Sequence, residues 1–510
     1  MRVAADMRAY VARSAAVCLA GLALNQALVQ ASGAILARIV PDPRLYGVLA
    51  LLLQYLNLAA LGLGLGLDSA LVYDLASGRA GGERSFAAAW RGMVALAATP
   101  ALLALALAPL VGAAYGIRGL TVAVALGAAA LFAQAALNAA VALQSGLRRF
   151  GAQMTIMVAA TLLAWTGRLA VVPAIVRGAS PGLLPLAGAA GLAVAAAAAI
   201  RLGARLARPG AAPRSRPERA AWMAELPRML RYGWPLWAGN LLKAFQQPYL
   251  VLLGGVAGIA AAGLVSNDVT LIGWPFLATW AFRLVAVPLV ASSRSVPERR
   301  ARMTLCFRLN HLLLFPMVAL LVFWARPLVV ALYGARYAAG AALLPLLVLG
   351  VYGSSVGRLA TDALAGVDRT RESLPIMLFS SVPLLLLGPL AAHRLLWLGG
   401  LYCAGWLASG LYAYFLMARV GLPVDPRAAF LEPLLPTACA LPVALWAAHR
   451  GGPGGLAGLG GAGAILLLAS ALVYRADAPG IRAAGSVSVA TAGGGRLAAA
   501  PGGAARVTRS

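Results

Sequence analysis

Of the 42 basic residues in this chain of 510, a single one is lysine, Lys243. Acidic residues number 15, histidines three and cysteines four. The cysteines, Cys18, Cys306, Cys403 and Cys439, stand alone, so neither a disulfide framework nor a cysteine metal site is expected. His311, His393 and His449 are too scattered for a metal site or a catalytic dyad, and no cofactor is expected. Long polar insertions are scarce too. The one substantial hydrophilic segment inside the chain, 202–231, carries Pro209, Pro213, Pro217 and Pro227 and reads as a linker. A glycan polymerase or glycosyltransferase, needing a sizeable external loop for its acids and bases, is the disfavoured alternative.

Apolar residues make up 62% of the chain and charged residues 11%, with a mean hydropathy of +0.84. That leaves too little polar surface for a soluble protein of this length. The apolar residues fall into about fourteen segments of roughly twenty residues, enough to cross ~30 Å of hydrocarbon as helices. The expected spans are 14–36, 45–67, 91–112, 119–143, 153–176, 181–200, 232–254, 260–288, 305–325, 338–360, 373–391, 396–418, 430–448 and 455–474. The tail 476–510, rich in Gly, Ala, Ser and Arg, is expected to be disordered and cytoplasmic.

Arginines crowd alternate gaps, most heavily at 201–231 and 294–308. The positive-inside bias therefore places both termini in the cytoplasm. A net charge of +27 in a soluble protein suggests nucleic acid, but here the charge is spread over helix ends and its natural partner is anionic lipid.

The chain resembles itself. Tyr46-Gly47-Val48 and Ala262-Gly263-Leu264 are 216 positions apart, Arg91 and Arg308 are 217 apart, and Ser145-Gly146-Leu147-Arg148 lies 220 before Ala365-Gly366-Val367-Asp368-Arg369. A six-helix unit is used twice, as an N-terminal lobe (1–200) and a C-terminal lobe (232–418) joined by 201–231, with two helices (419–475) appended. Six spans return the chain to its starting side, so the copies run parallel and leave a cavity between lobes, as in rocking transporters.

Charges inside the spans are the candidate site. Arg168 and Lys243 lie deep in spans 5 and 7, with Arg283 and Arg358 in spans 8 and 10. Each charge at mid-membrane costs about 2.5–3.5 kcal/mol on insertion scales, so a cavity wall is favoured over lipid. A positive lining attracts phosphate; the alternatives are pairing with Asp68, Asp268 or Asp362, or snorkelling to the interface. Asp268, Asp68 and Asp362 are read either as ion-coupling sites or as such counter-ions. Asn25, Gln26 and Gln30 in span 1 are expected to meet sugar hydroxyls or to bond neighbouring helices. Gly62, Gly64 and Gly66 sit in an apolar helix and suggest close helix packing through Gly62 and Gly66. Trp222, Trp234 and Trp237 read as interface anchors, and Pro235, Pro248, Pro275, Pro288 and Pro345 as kinks.

Several runs carry a family resemblance. Arg38-Ile39-Val40-Pro41 with Leu45-Tyr46-Gly47, and Leu61-Gly62-Leu63-Gly64-Leu65-Gly66-Leu67-Asp68-Ser69-Ala70-Leu71-Val72, resemble the first two helices of the bacterial polysaccharide flippases. Leu143-Gln144-Ser145-Gly146-Leu147-Arg148-Arg149-Phe150 is similar to their segment after helix four. Leu230-Arg231-Tyr232-Gly233-Trp234-Pro235-Leu236 is similar to the start of their helix seven, and Ala325-Arg326-Pro327-Leu328-Val329-Val330-Ala331-Leu332-Tyr333-Gly334 with Tyr337 to their loop after helix nine. These flippases belong to the superfamily of multidrug, oligosaccharidyl-lipid and polysaccharide exporters. The resemblance implies an all-α integral membrane fold of two six-helix lobes around a V-shaped cavity. It also implies a non-enzymatic transporter that moves a polyprenyl-diphosphate-linked oligosaccharide across the inner membrane for O-antigen, capsule or exopolysaccharide assembly. A glycan polymerase and a chain-length regulator are the partners it implies. A cation-coupled drug exporter of the superfamily is the alternative, disfavoured because span 1 carries no acidic residue. The peptidoglycan-precursor branch places charges in that helix where this chain has amides. Gln246-Gln247-Pro248 stands where many of the flippases carry a charged residue.

Overall fold

The computed structural model describes residues 2–450 apart from 77–81, 118, 148, 207–218, 278, 281, 283–294 and 367–368. The described residues are helical, without strands. In the N-terminal half the helices are α1 (Arg2–Ile39), α2 (Pro43–Ala60), α3 (Leu67–Ala76), α4 (Gly82–Leu96), α5 (Ala98–Tyr115), α6 (Leu120–Gly146), α7 (Phe150–Val176) and α8 (Leu183–Leu206). The C-terminal half follows with α9 (Arg219–Ala244), α10 (Gln246–Val256), α11 (Ile259–Leu271), α12 (Val296–Phe323), α13 (Ala325–Tyr333), α14 (Leu344–Gly366), α15 (Leu374–Ala391) and α16 (Leu395–Arg419). The last described helix is α17 (Glu432–Arg450), tied to α12 by an Arg308–Glu432 ion pair of 2.8 Å.

Ten helices among the described residues are long and apolar enough to cross a membrane. The expected spans 7 and 8 are broken, as α9 with α10 and as α11 with residues beyond it, and 455–474 lies outside the described residues. Helix α8 runs on to Leu206 and α9 starts at Arg219, so helix occupies both ends of the segment read as a linker.

Four breaks share one cause. Helices α4, α9, α11 and α12 end at Leu96, Ala244, Leu271 and Phe323, and Pro100, Pro248, Pro275 and Pro327 follow four residues later. Each proline ring collides with the carbonyl four residues back and supplies no N–H to it, so the ladder stops there.

The second span breaks differently. Gly64, Leu65 and Gly66 have φ of 74°, 44° and 84°, so the glycines sit at a rupture between α2 and α3 rather than inside a helix. The break is buried in protein, the condition under which irregular backbone survives at membrane depth. A Cβ on Gly66 would overlap the Gly233 carbonyl of α9, and one on Gly233 would overlap that of Gly66. Trp237 of α9 donates its indole N–H to the freed Leu61 carbonyl at 2.7 Å, so it serves the break rather than the lipid interface. Trp234, 57% exposed, remains outward.

The repeat landmarks meet. Gly263 of α11 faces the Tyr46 ring of α2, and Gly47 of α2 lies against the Ile259 carbonyl of α11. One buried core runs through α2, α10, α11, α12, α14 and α16. The lobes are thus joined along α2 and α11 and again where α9 packs on the Gly66 break, while α1 borders the space between them.

Candidate functional site

The end of the bundle holding the turns at 40–43 and 334–343 is the one expected to face outward, and is called the outer end. Two chambers open toward the opposite end. The deeper one, about 320 Å³, is lined by Leu22, Asn25 and Gln26 of α1, Met157 of α7, Ala244, Gln247 of α10, Gly273, Phe276, Leu277, Trp280 and Arg358 of α14. The second, about 360 Å³, shares Leu22, Met157 and Trp280 and reaches the end of α6 and the start of α7 through Ser145 and Phe150, with Cys18, Gln153, Met154 and Asp362 in its walls. The lining of this cleft combines amides and a guanidinium with Met, Leu, Phe and Trp side chains.

Arg358 is held in place by its neighbours. Its Nε donates to Ser354 Oγ one turn earlier at 2.9 Å, and its guanidinium carbon sits 4.9 Å from the Phe276 ring centre and 5.6 Å from that of Trp406. Cation–π contacts of this kind hold a guanidinium plane in a fixed orientation.

From the cavity toward the outer end, α1 carries a ladder of polar contacts. Asn25 Oδ1 accepts from Thr161 Oγ1 of α7 at 2.6 Å. Gln26 Nε2 donates to the Thr270 carbonyl of α11 at 3.1 Å, and Gln30 Nε2 to the Tyr333 hydroxyl of α13 at 2.6 Å. Asn25 and Gln26 line the cavity; Gln30 is buried above it, in the join between the lobes.

At the outer end the join becomes a reciprocal clamp. Arg38, at the end of α1, donates through Nε to the Leu332 carbonyl at 3.0 Å and through its terminal nitrogen to Ala331, the last carbonyls of α13. Arg336, just past α13, donates to the Pro41 carbonyl at 2.7 Å, to Arg38 at 3.2 Å and to Ala37, the last carbonyls of α1. Each arginine thus satisfies orphan carbonyls at the negative end of the other lobe's helix. Beneath them Tyr46 donates to Asn267 Oδ1 at 2.5 Å and stacks edge-on with Tyr337, and Tyr333 donates to the Asn267 carbonyl at 3.2 Å. The sequence alone assigns no site role to Arg38, Arg336, Tyr46, Asn267, Tyr333 or Tyr337. Four of them lie inside the runs that carried the resemblance.

The remaining candidates are dispersed. Arg168 stacks on Trp165 at 4.9 Å, packs against Gly188 of α8, and has a buried Nε without a hydrogen-bond partner among the described residues; it lines neither chamber. Asp268 is fully buried on α11, Asp68 is exposed on the first turn of α3, and Asp362 lines the second chamber. Arg283 and the Lys243 side chain lie outside the described residues. Gln247 is a cavity residue absent from the expected set, while Gln246 is buried and donates to Ser380 and Ser381 of α15 at 3.1 and 3.0 Å.

The model of a family described as polysaccharide biosynthesis protein matches residues 35–342. Among solved structures, the lipid II flippase MurJ in an inward closed conformation is similar at a TM-score of 0.63 and 10% identity, over 89% of this chain and 98% of that one. An inward-facing multidrug resistance MATE family transporter of the MOP superfamily is similar at 0.57 and 14%, over 79% and 94%. The Vibrio cholerae MATE transporter VcmN in its bent form follows at 0.53 and 13%, over 83% and 98%. At these identities the likeness shows a shared fold. No curated protein sequence matches the chain.

Proposed function

The chain belongs to the polysaccharide biosynthesis protein family, and on that premise we propose that it is a flippase for a polyprenyl-diphosphate-linked oligosaccharide. The observation that carries this reading is the cleft, closed by the reciprocal arginine clamp at one end and lined by a fixed guanidinium, amides and apolar side chains toward the other. A lipid-linked glycan has an anionic diphosphate, a hydroxyl-rich head and a greasy tail, and the cleft offers a complement to each. Arg358 takes the diphosphate, with Arg168, Lys243 and Arg283 as further cations of the path, while Asn25, Gln26 and Gln247 meet hydroxyls. Gln30 acts through the join above them.

With the outer end facing the periplasm and both termini in the cytoplasm, the structure is an inward-facing state. The lobes 1–200 and 232–418 rock about the α2–α11 contact, so opening one end closes the other. The protein would act next to a polymerase and a chain-length regulator in the inner membrane.

The test is flipping in liposomes of a fluorescent polyprenyl-diphosphate oligosaccharide, read by the fraction of label that becomes reachable to an impermeant quencher. Flipping above protein-free liposomes that falls in Arg358→Ala supports the proposal. Equal rates with and without protein, or uptake of cationic dyes instead, would refute it.

A further inference from the structure

Asp268 is 0% exposed, and neither carboxylate oxygen has a hydrogen-bond partner among the described residues. Two other orphans lie in the same layer: Gln30 Oε1 on α1, and Nδ2 of the adjacent Asn267. The layer sits directly under the arginine clamp, bounded by Tyr333 of α13 and by Gly340, where an added Cβ would lie 3.4 Å from Asp268 Oδ2. Three acceptor oxygens and one amide donor are thus left unpaired among residues that are all buried. A carboxylate ion without a partner at such a place is costly.

The surrounding elements supply no compensating charge. Tyr46 of α2, Gln30 of α1, and Tyr333 and Tyr337 beside α13 are neutral groups. Arg38 and Arg336 are both engaged with main-chain carbonyls at the rim, and Arg44 of α2 and Arg326 of α13 are exposed. Helix α10 carries no charged residue, and Arg358 and Asp362 of α14 line the chambers toward the other end.

We infer that Asp268 binds one monovalent positive charge, a proton or a dehydrated alkali cation, and that occupancy of this site favours closure of the outer end. In the sealed state the bound charge neutralises the carboxylate, with Gln30 Oε1 available as a further oxygen for an alkali cation. When the clamp parts, water reaches the layer, the carboxylate is solvated and the charge departs outward. The site lies above the substrate cleft, so it acts on the gate and not on the glycan. The inference rests on the alternating-access reading, but its test uses no glycan, so either can fail alone.

Spin labels at Arg44→Cys and Ala339→Cys, exposed residues on opposite sides of the seal, report its closure in purified full-length protein carrying Cys18→Ala and Cys439→Ala. One linked proton changes the closed-to-open ratio by up to about tenfold per pH unit, and one linked cation by up to about tenfold per decade of concentration. Titration of pH in choline chloride isolates the proton; titration of sodium at fixed pH isolates the cation. The short-distance population should rise with one of them in the wild type and in Asp68→Asn, and stay high and unresponsive in Asp268→Asn. A wild type indifferent to both, or an Asp268→Asn protein that titrates like the wild type, overturns the inference. If the labelled background does not fold, the same titrations are read as shifts in thermal unfolding of unlabelled wild type and Asp268→Asn, where equal shifts in the two are the refuting result.

Discussion

Removing the clamp should open the outer end without harming the fold. Arg336 donates to three carbonyls near the end of α1, and Arg38 to two at the end of α13. A hydrogen bond to a charged group contributes about 1.5–3 kcal/mol when sheltered. These arginines lie at an exposed rim where screening takes most of that away, so about 1–2 kcal/mol for each whole guanidinium is the working figure. At about 1.4 kcal/mol per factor of ten, Arg336→Ala should lower the closed-to-open ratio roughly five- to thirtyfold.

The double variant, Arg38→Ala with Arg336→Ala, should lower it further, though by less than the product if one clamp pre-orders the other. The assay is the distance between the Arg44 and Ala339 labels. Little stability is at stake, since both side chains lie at the exposed rim. An unchanged distance distribution in the double variant, in a protein with a wild-type unfolding midpoint, would show that the α2–α11 contact alone closes the end and that the arginine geometry is incidental.

Gly233→Ala should destabilise by about 1–3 kcal/mol, because its methyl has only the Gly66 backbone to displace. Gly239→Ala on the same helix meets open space and should leave the thermal midpoint unchanged or raise it, since alanine has the higher helix propensity, which checks that the loss in Gly233→Ala is steric. Arg358→Ala should cut flipping roughly ten- to a hundredfold if the guanidinium makes a charge-assisted contact in the transition state for transport. Arg358→Lys should recover only part of it, since an ammonium keeps the charge but not the planar stacking on Phe276 and Trp406; full recovery would count against the stacked geometry. Asp74→Asn breaks the 2.6 Å pair to Arg228 that pins the start of α9 to α3. With Arg228 44% exposed, the loss should be about 1 kcal/mol and shrink as salt is added, read as the difference in unfolding midpoint between low and high salt.

Hydrophobic runs made the helical membrane fold legible, because a twenty-residue apolar segment has few alternatives in water or lipid. The repeat was legible for a related reason. Tyr46-Gly47 and Ala262-Gly263 stand at equal places in the two units, and they pack against each other where a residue larger than glycine does not fit. Helix breaks were less legible. The prolines signal a kink, and the observed stops fall four residues before Pro100, Pro248, Pro275 and Pro327, whereas Pro235 and Pro316 lie inside unbroken α9 and α12. One rule therefore marks where a break lands without saying which proline breaks. The rupture at Gly64-Leu65-Gly66 escaped because nothing in an apolar run announces that a partner backbone, here Gly233, will take its place in the packing.

The site was half legible for a reason that concerns charge and depth. A lone charge avoids lipid, which points intramembrane cations to a cavity wall, and Arg358 does border the cleft. That argument decides against lipid but does not choose between a wet cavity and a protein crevice. Arg168 lies against Trp165 and Gly188 of the neighbouring helix. Amides posed the same ambiguity in milder form. Asn25, Gln26 and Gln30 climb one face of α1, yet only the lower two border the cleft. Position along the helix separates them, because the lobes converge upward: a polar side chain near the mouth meets water or substrate, and one a turn higher meets the other lobe. The same convergence brings Arg38 and Arg336, ordinary loop arginines in the sequence, onto each other's helix ends. On the proposed reading substrate recognition and gating share α1, so altering Gln30 should disturb closure while altering Asn25 disturbs transport.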